Sequence, residues 1–525
     1  MNLATENDFV DAWFAHPEWW FTKSNDFDAL ITDRYGHLLN TVDVDLSNIA
    51  KTLICDQLPR HVFRGQAANH IIEWWLQKAL NYHSNIDLAY DALDSHWVFH
   101  MLPLRHTGKL AAILDVSRMA WNRIENHAIR IDSDLPLLKR FLRATYQHCP
   151  TEDQSEMIQT ESDNHCEDFS DILEKEYKQN KQNKQNKQYN KTLKLDPTIT
   201  CDCRTIIVSL SGGVDSMVML SLLIDRFPEK YKQNKIVAIH INYCNRETSD
   251  REAAFVSNWC RRLGIQLYIR EIREISRQPC KLFELREIYE SYTKRVRFGT
   301  YKTVAKLFDT NAEPTIWLGH NMDDCFENFM TNMTARSKYA DLRGMDVNSS
   351  QDGIRFVRPL LNTSKDAIYA FASRNNIPHL YDSTPKDCQR GQIRDFVVPA
   401  LDRWHGRCIS GLLELSSVVQ QLYGVVSRLA ATFGDRKQNE FVVPLNSLEE
   451  SAIFWREVTI RRGAFVSNRS IETLCNNIKR FRSISRGLLI SRTMMSKSLC
   501  IRLCKLNESN LCITFEQNAS HLNKM

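Results

Sequence analysis

The sequence predicts an α/β fold with a doubly wound parallel sheet, preceded by an all-helical domain. Three observations support this. From residue 205 onwards, short apolar runs alternate with longer helical patterns, as in a parallel sheet covered on both faces by helices. In the first 150 residues, aromatic and aliphatic side chains instead recur at helical spacing. A glycine-rich segment, SGGVDS at 211–216, joins the first predicted strand to the helix after it.

Composition divides the 525 residues further. A prior of about 150 residues per domain suggests roughly three or four units. The clearest boundary is an acidic polar stretch that gives way to KQNKQNKQN at 178–186, which has no apolar residue to bury. We predict a helical domain at 1–150, a low-complexity linker at 151–202, an α/β domain at 203–400 and a basic region at 401–525.

Within the α/β part, each element is predicted from its pattern. The strands are expected at 205–210, 236–241, 266–272 and 315–318. The helices are expected near 216–227, 250–263, 285–307 and 323–331. Because ligands of such sheets bind at the carboxyl ends of the strands, we expect the chemistry at those ends.

Hydropathy and cysteine usage exclude other classes of protein. No stretch approaches the ~18 consecutive apolar residues of a membrane span. The N-terminus is acidic and lacks the basic-then-apolar order of a signal peptide. The 15 cysteines form no CxxC pair, as is typical of reduced thiols. We therefore expect a cytoplasmic protein with no membrane partner; the sequence does not indicate its oligomeric state.

The segment at 211–216 has the properties of a polyphosphate-binding loop. Gly212 and Gly213 permit a tight turn with exposed N–H groups, and the following helix directs its positive end at the same place. The segment is not a Walker A loop, and its Asp215 would suit a Mg²⁺ ion bridging to phosphates. The alternative is a Gly-Gly turn with no ligand.

Polar residues also follow two other strands. His240 and Asn242 alternate along one strand and are expected to face an adenine or ribose. Asp324 and Glu327 share a helix face, as do Asp323 and Glu327. Paired carboxylates repel unless a cation or substrate ammonium lies between them; the alternative is an acidic helix N-terminus favoured by the dipole.

Three segments together, SGGVDS, HINYCNR at 240–246 and GHNMDDCFE at 319–327, resemble the tRNA(Ile)-lysidine synthetase family of PP-loop ATP pyrophosphatases. The likeness covers about residues 203–415 and includes KRVRF at 294–298 and RPLL at 358–361. It implies that ATP adenylates C2 of the wobble cytidine of a CAU tRNA, after which free lysine displaces AMP.

The resemblance also implies roles for individual residues. Those implied in ATP binding are Ser211, Gly212, Gly213, Val214, Asp215, Ser216, His240 and His320, with Mg²⁺ at Asp215. Those implied in catalysis are Asp215, Asp324, Glu327 and Arg394.

A nucleic-acid partner is predicted independently from charge. Between residues 456 and 505, twelve basic residues stand against two acidic ones, with Trp455 and Phe481 nearby or among them. The alternative is a solvated basic face. The predicted tRNA contacts are Arg390, Arg394, Arg461, Arg462, Arg480 and Arg482.

The N-terminal region, through most of 5–148, resembles an uncharacterised family of small bacterial helical proteins with a tetratricopeptide-like fold. Asp56, Arg60, Arg64 and His106 could line a polar site there. The alternative, that they form helix caps and buried ion pairs, is the more common use of such residues.

Other functions stay open. A tRNA 2-thiocytidine or thiouridine synthetase shares the fold and the adenylation step. Such enzymes generally carry a lysine where this chain has Val214 and use CxxC cysteines, and this sequence has neither feature. A GMP- or NAD-synthetase-like enzyme also carries SGGVDS. A non-catalytic protein that grips tRNA through a degenerate PP-loop is the alternative from another class.

Overall fold

The computed structural model describes most of the chain. The described residues are 5–20, 24–40, 48–64, 69–83, 93–130, 133–151, 157–159, 193–195, 199, 203–309, 313–334, 342, 344–380, 389–435, 438–444, 451–464, 466–483, 490–496, 499–507 and 509–517. Within these ranges, no helix is both long and apolar enough to cross a membrane.

The N-terminal part is helical, as predicted. Its helices are α1 (Glu6–Ala15), α2 (Asn25–Tyr35), α3 (Asn48–Val62), α4 (Asn69–His83), α5 (Asp94–His106), α6 (Leu110–Glu125) and α7 (Leu135–His148), with 3₁₀ turns at Pro17–Trp19, Gly36–Asn40 and His127–Ile129. Local sequence explains where α1 begins, because Thr5 and Asp8 form a reciprocal capping box. Phe9 and Trp13 then lie on the buried face of this helix.

The central part is a seven-stranded, mostly parallel sheet, which confirms the predicted fold class. Its strands are β1 (Met157–Gln159), β2 (Ile206–Ser209), β3 (Ile236–Asn242), β4 (Gln266–Glu271), β5 (Thr315–Trp317), β6 (Asn348–Gln351) and β7 (Ile354–Val357), in the order β1-β4-β3-β2-β5-β7-β6. The five inner strands are parallel and the two edge strands are antiparallel. Strand order reverses at β2, which creates a crevice at its carboxyl end.

Helices cover this sheet. They are α8 (Val214–Arg226), α9 (Pro228–Lys232), α10 (Ser249–Arg262), α11 (Arg277–Leu282), α12 (Arg286–Phe308), α13 (Met322–Thr334) and α14 (Lys365–Arg374). The four predicted strands and the four predicted helices occur within a few residues of their expected bounds.

Strand β1 differs from the sequence-based expectation, because it lies inside the range predicted as a linker. It pairs antiparallel with β4, with Met157 opposite Arg270. Two apolar residues beside a free sheet edge suffice for such pairing, although the surrounding composition is polar. The repeat at 178–186 lies outside the described residues, and the four domain boundaries stay predictions.

The helical part packs directly on the sheet domain. The Arg295 guanidinium on α12 donates to the carbonyls of Tyr146 (2.6 Å) and Cys149 (3.1 Å) at the C-terminal end of α7. The Tyr146 hydroxyl donates in turn to the Glu274 carbonyl at 2.6 Å. One hydrophobic cluster runs through both parts, from Phe9 to Val296. The two parts therefore share a core.

The C-terminal part contributes to two cores, because Ile393 and Leu413 pack with α13 residues such as Phe326, whereas the buried residues from Ala430 onwards form a separate cluster. This part begins with α15 (Gln389–Gln392), a π-helical turn (Ile393–Val397), α16 (Val398–Trp404) and the long α17 (Cys408–Gly434). An antiparallel sheet follows, made of β8 (Glu440–Pro444), β9 (Ile490–Met494), β10 (Leu499–Lys505) and β11 (Asn510–Gln517), together with α18 (Ala452–Arg461) and α19 (Asn468–Ser483). Its strand order is β8-β11-β10-β9.

Candidate functional site

The loop between β2 and α8 is closed by its own serines. Ser216 Oγ accepts a hydrogen bond from the Ser211 amide at 3.2 Å and donates to the Gly213 carbonyl at 3.0 Å. Gly212 has a φ of 84°, and a Cβ there would lie 2.8 Å from Leu380 Cδ1. The tight turn therefore needs glycine at this position.

A cleft of about 690 Å³ opens at the carboxyl ends of β2, β3, β5 and β7. It lies at the point where strand order reverses, the usual ligand position in such sheets. The predicted site residues that line it are Ser211, Gly213, Val214, Asp215, Ser216, His320, Asp324, Arg390 and Arg394.

Asp215 is held by two residues that the sequence did not reveal. Asn321 Nδ2 donates to Asp215 Oδ1 at 2.8 Å, and Lys365 Nζ forms an ion pair with Asp215 Oδ2. Lys365 is the first residue of α14, where the helix dipole disfavours a cation. A nearby anion offsets this unfavourable placement, which is only a weak indication of the ion pair in the sequence.

Gly319, which follows β5, lets the chain approach the loop between β2 and α8 closely. A Cβ at this position would lie 2.9 Å from the carbonyl carbon of Asp215 and 2.9 Å from the amide nitrogen of Ser216. Both contacts are to backbone atoms, which cannot rotate away.

We expect Gly319→Ala to lower the free energy of unfolding by about 1–3 kcal/mol, because the added methyl group forces two backbone segments apart. Thermal unfolding followed by circular dichroism measures the change. Gly406→Ala is the matched control, since a Cβ at Gly406 meets nothing within 4 Å. Equal melting temperatures for the two variants would contradict the close approach.

His320 lies in the cleft wall as a neutral imidazole. Burial lowers its pKa to about 4, with the nearby Arg358 guanidinium acting in the same direction and Asp324 opposing it. Arg358 Nε donates to His320 Nδ1 at 3.1 Å. A neutral ring that accepts at Nδ1 carries its proton on Nε2, so His320 is available as a donor there.

Asp323 and Asp324 organise the N-terminus of α13. Asp324 Oδ2 accepts from the Asn321 amide at 2.9 Å, and Asn321 Oδ1 accepts from the Asp323 amide at 2.8 Å. Asp323 Oδ1 also accepts from the backbone amide of Lys365 at 3.2 Å. Both residues thus form the acidic helix N-terminus that was considered as the alternative, with the Asp324 carboxylate capping α13 and the Asp323 carboxylate capping α14. Both also line the cleft.

Glu327 lies beneath the cleft wall, paired with Arg394. Its residue surface is 2% exposed, and Oε1 accepts from Arg394 Nε at 3.0 Å and from the terminal nitrogen Nη2 at 2.6 Å. Oε2 is buried and has no hydrogen-bond partner among the described residues. Burial raises the pKa of Glu327, although Arg394 opposes the shift. Asp324 and Glu327 therefore do not jointly face the cleft as expected.

His240 is oriented differently from the sequence-based expectation. Its Nδ1 lies 2.8 Å from the Leu210 carbonyl oxygen, and the residue is buried. Asn242 is also buried, with Nδ2 bonded to Asp250 Oδ1 at 3.1 Å. The cleft is lined instead by Ile241 of β3 and by Tyr243, the residue that follows this strand. Strand alternation fixed which residues share a face, but it did not fix which face meets the cleft.

The predicted tRNA contacts fall into different environments. Arg390 donates to Asn328 Oδ1 at 2.8 Å at the cleft. Arg461 pairs with Glu457 at 2.8 Å and is partly exposed. Arg480 and Arg482 are exposed at the last turn of α19.

The prediction that Arg462 contacts tRNA is wrong, because this residue lies in the core. It is buried, donates to the carbonyls of Phe433 (2.6 Å) and Gln438 (2.6 Å), and stacks 3.6 Å from the Phe515 ring centroid. Trp455 and Phe481 are also core side chains rather than exposed stacking platforms. The basic composition concealed the fact that arginine can serve as a buried donor to backbone carbonyls.

In the helical part, the predicted polar residues form buried ion pairs. Asp56 Oδ1 accepts from Arg60 at 3.2 Å and lies 2.8 Å from His106 Nδ1. Burial would raise the pKa of Asp56, but His106 and Arg60 hold it well below its ordinary value. Arg64 pairs with Asp28 at 3.0 Å. This is the arrangement considered as the alternative to a polar site.

Two families match this chain. Residues 178–401 match the family described as PP-loop domain. Residues 9–194 match the family described as bacterial protein of unknown function, DUF924.

Relatives of this chain include proteins named tRNA(Ile)-lysidine synthase. The protein of Staphylococcus aureus (strain COL) is 27% identical over 230 residues, which are 43% of this chain and 51% of the relative. The protein of Mycoplasma genitalium is 30% identical over 183 residues, which are 35% of this chain and 57% of the relative. The chain thus spans about half the length of the curated relatives it matches.

Among solved structures, the chain is similar to the U34-tRNA thiolase NcsA from Methanococcus maripaludis with its 4Fe–4S cluster. The identity is 18% and the TM-score is 0.35, with 48% of this chain and 81% of that chain covered.

Proposed function

We propose, from the premise that the central region is a PP-loop domain related to the tRNA(Ile)-lysidine synthases, that this protein ligates lysine to a tRNA. The PP-loop match implies ATP binding. The proposed substrates are ATP, free lysine and a tRNA with a CAU anticodon. The proposed product carries lysine at C2 of the wobble cytidine, and AMP and pyrophosphate are released.

The observation that carries the proposal is the set of charges in one cleft. Asp215, Lys365, Asp324, Arg390 and Arg394 all line it, at the end of the phosphate-binding loop. Cations there complement a polyphosphate, and carboxylates complement a metal ion or an ammonium group. Such a mixture suits ATP together with an amine nucleophile.

The first proposed step activates the cytidine. Its O2 attacks the α-phosphate, the bond from that phosphorus to the bridging oxygen breaks, and pyrophosphate leaves. Backbone amides and serine hydroxyls of 211–216 would hold the departing pyrophosphate, with Lys365 as a fixed positive charge nearby. The cytidine must leave its stack to reach the cleft.

The residues present fit a magnesium ion. Within the described part of the chain, Asp215 Oδ1 accepts from Asn321 and Oδ2 accepts from Lys365, so acceptor capacity remains on both oxygens. Mg²⁺ commonly binds through one or two carboxylates plus substrate phosphates, and Asp215 would hold it here. A bound ion would neutralise charge that develops on the phosphates.

The second proposed step joins the amine. The lysine ε-nitrogen attacks C2, the C2–O bond to AMP breaks, and the ammonium must lose its protons along the way. Asp324, one of several carboxylates that line the cleft, is proposed to contact that group. Glu327 is proposed to act mainly by holding Arg394, whose guanidinium lies at the wall and suits a phosphate.

The proposed tRNA surface keeps five of the six arginines predicted from the sequence, namely Arg390, Arg394, Arg461, Arg480 and Arg482. Phosphate contacts by such side chains dominate affinity for nucleic acids. Arg462 is left out because it is buried.

The test is to incubate the purified protein with ATP, Mg²⁺, labelled lysine and a CAU-anticodon tRNA transcript, and to analyse the digested nucleosides by mass. We expect lysine incorporated into one cytidine per tRNA. A transcript that differs only in having a GAU anticodon is the matched control and should stay unlabelled.

A thiolated nucleoside formed when sulfide is supplied, with no lysine incorporated, would favour a tRNA thiolation enzyme instead. The described residues that line the cleft include no cysteine, which supports an amine rather than a protein-bound sulfur as the nucleophile. ATP-independent tRNA binding with no product of either kind would favour the non-catalytic alternative.

A further inference from the structure

We propose that helix α17 is a dimerisation seam, on which a second copy of this chain packs antiparallel through a two-helix coiled coil. This inference does not depend on the proposed tRNA chemistry. It rests on exposed apolar residues, on their spacing and on the charges beside them.

Five large apolar residues lie exposed along one stripe of α17. They are Leu415, Val418, Leu422, Val425 and Leu429, with exposed fractions between 45% and 61%. The opposite side of the helix is covered, since Leu413, Ser416 and Ala430 are buried. Scattered exposed leucines are ordinary, but a contiguous stripe of this length marks an interaction surface.

The spacing of the stripe is that of a coiled coil. Its members follow one another at intervals of three, four, three and four residues, which are alternate a and d positions of a heptad repeat. An amphipathic helix that only covers a globular core turns this side to the core, whereas here the seam is directed outwards. A helix with the same repeat is the partner that such a seam fits.

When a second copy packs antiparallel on α17, the apolar residues of the two stripes pair in successive layers. Placing Leu415 against the partner's Val425 also places Val418 against the partner's Leu422, so each layer combines one leucine with one valine. At the end of the seam, Leu429 falls against the partner's Gly411, where no side chain opposes it. Layers of one large and one smaller residue fill an interface evenly.

The same register pairs opposite charges. Glu414 and Arg428 both flank the seam on one side and are exposed. In the antiparallel register Glu414 faces the partner's Arg428, and the two-fold axis repeats the pair. Gln421 lies midway between these two pairs and faces Gln421 of the second copy. In a parallel pair the two charges would lie two heptads apart, so charge selects the antiparallel arrangement.

The other flank of the seam is apolar. Val419 would face its own copy and Leu412 would face the partner's Val426; all three are half-buried in the single chain, where Leu412 and Val426 also pack against the chain's own cores. Since a two-fold interface uses the same patch on both subunits, self-complementarity of this kind is what an isologous dimer requires. A nucleic acid is disfavoured on this stripe, because Arg428 is the one lysine or arginine within α17.

The test is the mass of the full-length protein in solution, measured by light scattering or sedimentation at tens of micromolar concentration. We expect twice the 61.2 kDa of one chain. Leu422→Glu should reduce the mass to that of one chain, because it places two carboxylates in the seam. Leu282→Glu, at an exposed leucine on α11, is the matched control and should leave the dimer intact.

A charge exchange tests the register. E414R and R428E should each raise the dissociation constant of the dimer roughly tenfold, since each creates two like-charge contacts. The double variant E414R/R428E should restore the original constant. A single-chain mass for the unaltered protein, or a dimer insensitive to Leu422→Glu, would overturn the proposal. Failure of the double variant to rescue would overturn the antiparallel register. Circular dichroism confirms that each variant is folded.

Discussion

Replacing Asp215 with alanine is expected to abolish the release of pyrophosphate from ATP, by about 10³-fold or more. Asp215 lies at the start of α8, where a carboxylate beside the phosphate loop suits a metal ion rather than a bare phosphate. Its removal also leaves Lys365 without its ion pair. Losing a preorganised charge at a developing anion commonly costs 10²–10³-fold, and losing the proposed metal site would add to that.

The measurement is pyrophosphate and AMP formation with the CAU transcript and lysine at saturation. Asp225→Ala is the matched control, because Asp225 is an exposed aspartate near the other end of the same helix and should not affect the rate. Asp215→Asn keeps the shape and one hydrogen-bonding oxygen but removes the charge, so it should be nearly as inactive as alanine. A fully active Asp215→Asn protein would show that the carboxylate charge is not needed, and the proposed magnesium role would be wrong.

The elements around this residue were predictable because their signals are local. The largely β-branched run at 205–210 predicts a strand, and the two glycines that follow it predict a turn. The alternation of such runs with amphipathic helices indicates a parallel sheet. The sheet then places every strand end at one edge. That step explains why residues far apart in sequence, such as Asp215 and Asp324, line the same cleft.

The contacts that hold Asp215 were not predictable in the same way. Lys365 and Asn321 are separated from it by more than a hundred residues, and the pairing depends on how α14 and the end of β5 meet the loop. The prediction that His240 faces the ligand was wrong for a related reason, because alternation along a strand leaves the choice of face to tertiary packing.

Predictions made from composition were wrong where a charged or polar segment forms part of the folded core or sheet. Arg462 belongs to a basic stretch, yet its guanidinium is satisfied by backbone carbonyls and an aromatic ring. Likewise, the polar range 151–202 contains a strand that completes the sheet edge. In both cases the decisive partner is a backbone group, which carries no signal in the sequence.

Removing Arg394 is expected to destabilise the protein in a pH-dependent way, through Glu327. In the native chain the buried Glu327 carboxyl already has a raised pKa, with burial stronger than the opposing effect of Arg394. A raised carboxyl pKa means that the folded state binds the proton more tightly than the unfolded state. The free energy of unfolding therefore falls as the pH rises above the ordinary value of 4.5.

Arg394→Ala should steepen this fall, because the carboxylate then loses its ion pair while it stays buried. Losing one partner of a fully buried pair costs about 3–5 kcal/mol; the Arg394 side chain is 44% exposed, so we expect about 2–3 kcal/mol at neutral pH. Near pH 4 the protonated carboxyl no longer needs the arginine, and the variant should approach the native stability. Urea unfolding between pH 4 and 8 measures the difference.

Two further variants show whether Glu327 is the group responsible. Glu327→Gln in the Arg394→Ala background removes the titrating carboxyl, so the loss of stability should become nearly independent of pH. Arg403→Ala, at an exposed arginine on α16, should change neither the stability nor its pH dependence. If Arg394→Ala were equally destabilised at pH 4 and pH 8, the loss would come from packing rather than from an unpaired carboxylate. The ion pair would then not be what holds Arg394 at the cleft wall.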